Sequence, residues 1–581
     1  MSTEKIISFS MHGVGVSGGI AIGQAHLVSH ALLEVAHFKI PKTAVKDEQA
    51  RFDQAIARVK SDLEVVRKQL PAKAPAELEA FVNTHLMILA DHTLADEPKK
   101  IIQQELCNAE WAVKQQMESI VEQFEAIEDE YLRERKQDVV QVVERIIKVL
   151  LGHPSQVQIK PQKNDIILVA HDLSPADAIQ FKQHHFSAFI TDVGGATSHT
   201  AILARSLNIP SIVALQRARS LISDGELIIV DGDKGVVIAS PDKYTLAEYK
   251  LRQEQWEIEQ QKLKRIKTTK AMTLDGTDIE IHANIEVPSD VTKVKESGAT
   301  GIGLYRTEFL FMNRREMPDE EEQFNAYRLV AETMNKLPVT IRTLDLGADK
   351  EMNPDSERTC TNPALGLRAI RLCLSEPQIF HAQLRALLRA SHYGNIKILI
   401  PMLSSILELR QTVAALEKAK QSLRVEKIPF NENIPVGGMI EIPAAALCAE
   451  AFAKELDFLS IGTNDLIQYS LAIDRTDDTV SHIYNPTHPA VLMLIEHTIR
   501  AGMKYGKPVS VCGEMAGDAK LTRLLLGLGL RNFSMHPSNV LMVKHQILQT
   551  DLPLIAATTR KILNNHEADR ADALLRKLNQ S

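Results

Sequence analysis

The chain of 581 residues carries only five cysteines, Cys107, Cys360, Cys373, Cys448 and Cys512, an odd number with no two in a CxxC pair. Neither a disulfide framework nor a zinc site is indicated, and a reducing compartment suits such thiols best. No window reaches about 18 uninterrupted apolar residues, and the opening MSTEKIISFSMHGVGVSGG has no basic segment followed by a long apolar one. A cytoplasmic protein without membrane insertion is expected. No basic arm or stripe stands out against a net charge of -7, which argues against a nucleic-acid partner. A phosphate-binding GxxxxGK[ST] loop is also missing.

What is present is the composition of a soluble globular protein, 44% hydrophobic and 24% charged. Its length exceeds what one core supports and suggests three or four domains. Phe52, Ile56, Val59, Leu63, Val66 and Leu70 alternate at spacings of four and three, the apolar stripe of an amphipathic helix that Pro71 ends. Further helical stretches over 76–91 and 109–150 make residues 34–150 an expected all-helical bundle. The texture then changes to short β-branched runs, DIILVA, SAFIT, PSIVAL and ELIIVDG, separated by Gly, Pro and Asp, which predict a compact α/β domain. The charged helical segment 241–270 has few apolar positions and reads as a connector at which neighbouring domains could hinge.

From residue 271 onward come eight strand-like runs, IEIHANIEV, GIGLY, VTIRTLDLG, IKILIPML, IPVGGMIEI, FLSIG, PVSVCG and RNFSMH. Most are spaced by lengths that accommodate a helix, so a TIM (β/α)8 barrel is expected over 271–581. Arg306, Arg342, Glu441, Asn464, Asp465 and Cys512 fall at or just after the ends of these runs, where barrel enzymes do their chemistry.

The segment GGATSHTAILARSLNIPSIVAL (194–215) sets His199 after two glycines and among hydroxyls, just before a helix-like run. Glycines let the backbone turn tightly and leave the imidazole accessible, and a ring with a pKa near neutrality is a competent nucleophile. A loop histidine is otherwise more often structural, and a free cysteine such as Cys512 is more often a small buried apolar residue. Glu441 and Asp465 end adjacent runs and suit a Mg²⁺ site completed by substrate oxygens, while helix N-capping is the plainer role open to Asn464 and Asp465.

The segment containing His199 is similar to the phosphohistidine signature shared by enzyme I of the sugar phosphotransferase system, phosphoenolpyruvate synthase and pyruvate phosphate dikinase. The chain resembles enzyme I along almost its whole length, through GLYRTEFLF (303–311), RTLDLGADK (342–350), NPALGLR (362–368), GGMIEIPAA (437–445), SIGTNDLIQY (460–469) and CGEMAGD (512–518). The synthase and dikinase relatives need an ATP-binding domain for which there is no room before residue 150, and the sensory domain of the nitrogen-related enzyme I is not found here.

The resemblance implies a phosphohistidine α/β domain over 1–33 and 151–240, a helical domain at 34–150 that docks the phosphocarrier protein HPr, a helical linker at 241–270, and a dimerising barrel that binds phosphoenolpyruvate. It further implies His199 as phosphoryl acceptor and Cys512 as proton donor to the enolate. Arg306, Arg342, Arg368, Arg475, Asn464 and Asp465 become substrate contacts, since guanidinium forks suit a phosphate and a carboxylate. Glu441 and Asp465 become ligands of Mg²⁺, with Mn²⁺ equally suited to oxygen donors. A homodimer is implied as well. Ala196, where many relatives carry Arg or Lys, and the stretch 352–361 depart from the family pattern. Two other readings are a phosphohistidine signalling protein with reduced turnover and a barrel lyase or kinase with an unrelated N-terminal half.

Overall fold

A computed structural model of the chain describes residues 8–28, 35–69, 76–125, 136–152, 165–171, 186–194, 209–311, 317–347, 364–474, 480, 483–565 and 567–580. Two compact units divide the chain, residues 1–260 and 261–581.

Within the first unit, Phe52, Val59 and Leu63 of the predicted stripe are buried in helix Val45–Gln69. They share a core with Val82, Val113, Val142 and Ile146 from helices Ala76–Ala90, Ala109–Glu125 and Lys136–Leu150. The stripe is wide enough to pack against several neighbours at once, which is why these segments form a bundle. The same unit holds a mixed eight-stranded sheet of β1 (Phe9–His12), β2 (Val14–Ser17), β3 (Ile20–Leu27), β4 (Ile166–Ala170), β5 (Ala188–Thr191), β6 (Ser211–Val213), β7 (Leu227–Asp231) and β8 (Val236–Ala239). Their order is β1-β8-β7-β3-β4-β5-β6-β2. The short opening strands are therefore paired far along the chain, Phe9 opposite Ala239 and Gln24 opposite Ile166. Helix Lys243–Arg265 lies against this sheet: Gln253 Nε2 donates to the Ile20 carbonyl at 3.2 Å, and the Trp256 ring closes over Gly19.

The second unit is a closed parallel barrel. Its strands are β9 (Glu280–Ile285), β10 (Ile302–Tyr305), β11 (Val339–Arg342), β12 (Ile396–Ile400), β13 (Val436–Ile440), β14 (Phe458–Ile461), β15 (Val509–Val511) and β16 (Asn532–Met535). Each predicted run supplies one strand, and Phe533 opposite Ile281 closes the ring. Strand alternation sorts the side chains: Ile398 and Ile400 of β12 join the large core, while Leu399 joins a small cluster with Leu304, Met439, Phe458 and Cys512. Among the described residues, no helix is long and apolar enough to cross a membrane.

Candidate active site

At or past the C-terminal ends of β10 to β15 lie several of the barrel's buried charges, Glu308, Arg342, Asp345 and Glu441 among them. Arg342, the last residue of β11, is nearly enclosed, because a strand end inside a barrel points into the mouth instead of outward. Its Nη1 lies 2.7 Å from Asp345 Oδ2 and its Nη2 lies 3.1 Å from Glu308 Oε1. The other Asp345 oxygen accepts from Arg368 Nη2 at 3.0 Å, so one buried carboxylate ties two guanidiniums together. Backbone contacts brace this cluster. The Asp345 N–H donates to Glu308 at 3.1 Å, Thr307 Oγ1 donates to the Arg342 carbonyl at 2.9 Å, and Gln383 accepts from the Leu344 N–H at 2.9 Å.

Burial would by itself lower the Arg342 pKa, but Asp345, Glu308, Glu441 and Asp465 outweigh it and raise the value, keeping the cation charged. Arg368 behaves in the same way, its burial outweighed chiefly by Asp345. For Glu308, burial dominates and lifts the carboxyl above its usual range, against the pull of Arg342.

Glu441, just beyond β13, is fully buried. Its Oε1 accepts the Met402 N–H at 2.6 Å. Burial, then Asp345 and Asp465, raises its pKa well above the carboxylate range, against the pull of Arg342. Asp465 lies in the first turn of helix Thr463–Leu471, directly after β14. Asn464 is buried beside it, where its Oδ1 accepts the Glu514 N–H at 2.9 Å and its Nδ2 donates to Glu514 Oε1 at 3.3 Å.

Cys512 follows β15 with its thiol directed at the Ile461 carbonyl, 3.6 Å away. Burial pushes that thiol up to about 11, against a hydrogen bond with Ser460, so it stays protonated at neutral pH. Arg306 stands apart at the rim, half-buried and paired with Glu286 at 2.8 Å.

Among the described residues, the buried polar atoms without a hydrogen-bond partner include Arg342 Nε, Thr343 Oγ1, Arg368 Nε, Thr463 Oγ1 and Glu441 Oε2, at or past the ends of β11, β13 and β14. Such atoms are rare in a folded interior, and here they include guanidinium donors as well as a carboxylate oxygen. The donor set suits a hard divalent ion. Glu441 and Asp465 offer carboxylate oxygens of the kind such an ion takes, and no group of three or more His, Cys, Asp or Glu is assembled among the described residues.

The structure thus brings Arg342, Arg368, Glu441, Asn464, Asp465 and Cys512 to one mouth and Arg306 to its rim. His199 and Arg475 lie outside the described residues, as do Ala196 and the stretch 352–361. Glu308 and Asp345 were missed from sequence although both sit inside quoted motifs. The available signal was an acid two residues after Arg306 and another three residues after Arg342, each past a strand end.

Residues 12–135, 162–235 and 260–552 match the N-terminal, mobile and PEP-binding domains of the PEP-utilising enzymes. A phosphoenolpyruvate-protein phosphotransferase of Cupriavidus necator is 49% identical over 581 residues, spanning 98% of this chain and 99% of the relative. The protein of the same description in Bacillus subtilis is 40% identical over 573 residues, spanning 97% and 99%. Among solved structures, an NMR solution structure of an Enzyme I (nEIt) protein is 36% identical, covering 42% of this chain and 99% of its own, with a TM-score of 0.35.

Proposed function

The chain belongs to the PEP-utilising enzymes, with phosphoenolpyruvate-protein phosphotransferases as full-length relatives, and from that premise we propose that it moves the phosphoryl group of phosphoenolpyruvate onto His199 and then onto the histidine of HPr. The observation that carries this reading is the buried Arg342–Asp345–Arg368 cluster beside Glu441, whose second oxygen lacks a partner.

Arg342 and Arg368 present guanidinium edges to the two anionic groups of the substrate, and Arg306 and Arg475 extend that grip. Asp345 and Glu308 hold Arg342 in place without substrate, so little reorientation is needed on binding. Glu441 and Asp465 would hold Mg²⁺ or Mn²⁺. Such an ion, when bound, neutralises charge on the phosphoryl and enolate oxygens.

A ring nitrogen of His199 forms the new P–N bond as the P–O bond to the enolate breaks. The Cys512 thiol then gives its proton to the enolate carbon, releasing pyruvate, and the thiolate regains a proton from solvent. In the second step the P–N bond of His199 breaks as one forms on HPr.

In this reading 1–33 and 151–240 form the domain that carries His199, 34–150 docks HPr, 241–270 is the linker, and 271–581 is the barrel through which a cytoplasmic homodimer forms. Movement of the His199 domain between its two partners supplies both steps.

The test is incubation with radiolabelled phosphoenolpyruvate and Mg²⁺, wild type beside His199→Ala, followed by HPr. Acid-labile label on the wild type alone, chased to HPr as pyruvate appears, is the expected result. Pyruvate formation by His199→Ala at the wild-type rate would overturn it.

A further inference from the structure

Glu441 is presented in an unusual way. Its Oε1 is consumed by the Met402 amide at 2.6 Å, and Met402 reaches that position only by adopting a left-handed backbone, φ 55°. An unbranched L residue is disfavoured there, and the conformation persists because the side chain is packed in the barrel core, 2% exposed. The amide is therefore a fixed feature of the β12 exit.

Glu441 Oε2 faces the backbone at Gly462. A Cβ built on Gly462 would lie 2.6 Å from that oxygen, 3.0 Å from Glu441 Cβ and 3.3 Å from Met439 Sδ. The backbone angles there, φ -85° and ψ 84°, do not call for glycine. What requires a missing side chain at 462 is the space in front of the oxygen. The fully buried Oε2, without a partner, points into that space, and helix Thr463–Leu471 begins there, carrying Asp465 in its first turn.

We propose that the Met402 amide and Gly462 are positioning residues that present Glu441 to the metal through one oxygen only, and that this geometry selects a small octahedral dication over calcium. The inference rests on the metal reading above and adds how the ligand is aimed and which ion it favours. A carboxylate oxygen that accepts from a rigid amide keeps one lone pair but is pinned in place, which disfavours the turn that two-oxygen coordination needs. Ca²⁺ gains from six to eight oxygens and often from a bidentate carboxylate, whereas Mg²⁺ and Mn²⁺ accept single oxygens at octahedral positions.

Binding is measured directly, without turnover, on the full chain carrying His199→Ala in the presence of phosphoenolpyruvate. The probe is Mn²⁺, read as the water proton relaxation enhancement over the same mixture without protein. Addition of Glu441→Ala is expected to abolish the enhancement, and Gly462→Ala to weaken Mn²⁺ binding by about 10–100-fold in protein shown by its circular dichroism to be folded. Ca²⁺ in about tenfold excess is expected to leave most Mn²⁺ in place on the parent protein, a comparison that needs no variant at the site. Retention of the enhancement in Glu441→Ala would sink the metal reading itself. Loss in Glu441→Ala with unchanged affinity in Gly462→Ala, or equal competition by Ca²⁺, would overturn this inference and leave the metal reading intact.

Discussion

Removing the Asp345 carboxylate is the sharpest perturbation of the barrel mouth. One buried side chain anchors Arg342 at 2.7 Å and Arg368 at 3.0 Å, and both guanidiniums are largely withdrawn from water. A charge-assisted hydrogen bond contributes about 1.5–3 kcal/mol. The two contacts share a carboxylate and do not add, so the relevant magnitude is that of breaking a buried ion pair from one side, about 3–5 kcal/mol. Asp345→Ala is therefore expected to destabilise the barrel by about 3–5 kcal/mol, and Asp345→Asn by about half as much, because one acceptor oxygen survives. Urea unfolding of the full chain followed by circular dichroism measures this. The same change frees both cations to wander, and a misplacement of about 1 Å in a positioning group costs about 10²-fold in kcat/KM. Pyruvate release under steady phosphoenolpyruvate measures that second effect. Should Asp345→Ala lie within about 1 kcal/mol of wild type and keep its kcat/KM, the argument that this carboxylate organises the site is wrong.

Two further expectations concern pH. His282 on β9 is buried, and burial pulls its pKa below the usual 6.5, with Glu280 only partly restoring it. Below about pH 6.5 the unfolded chain takes up a proton that the folded chain declines, so stability is lost as pH falls from there toward the folded pKa. Comparing urea midpoints at about pH 7.5 and about pH 5.5 should show a smaller drop for His282→Gln than for wild type, and equal drops would contradict the assignment. For Cys512, with its thiol pushed up to about 11 chiefly by burial, the 240-nm absorbance difference between wild type and Cys512→Ala should stay flat through neutral pH and rise only toward that value. A thiolate step near neutral pH would remove Cys512 as a neutral proton donor.

Much of the barrel was legible in the chain because most strand positions are buried on both faces, so runs such as IKILI and FLSI are apolar but for Lys397 and Ser460. Strand ends then locate Arg342, Glu441, Asp465 and Cys512 without further information. The opening strands were harder. β1 and β2 are four residues each, and their partners lie some two hundred residues away, so no local period announces them. The helix Lys243–Arg265 likewise reads from its charge as an exposed connector, yet Tyr249 is buried, and Gln253 and Trp256 meet the sheet at Ile20 and Gly19.

By itself the sequence determined the residue types available for phosphoryl chemistry, their places at strand ends, and the order of helical, α/β and barrel segments, because these follow from hydrophobic period and short motifs. Only the tertiary structure decided which of those residues meet. The Met402 amide on Glu441 and the gap at Gly462 are contacts between separate strand ends, and the hold of Asp345 on Arg368 joins two points of the long segment after β11. The closure of the barrel brings them within hydrogen-bonding distance, and no local pattern in the chain encodes that approach.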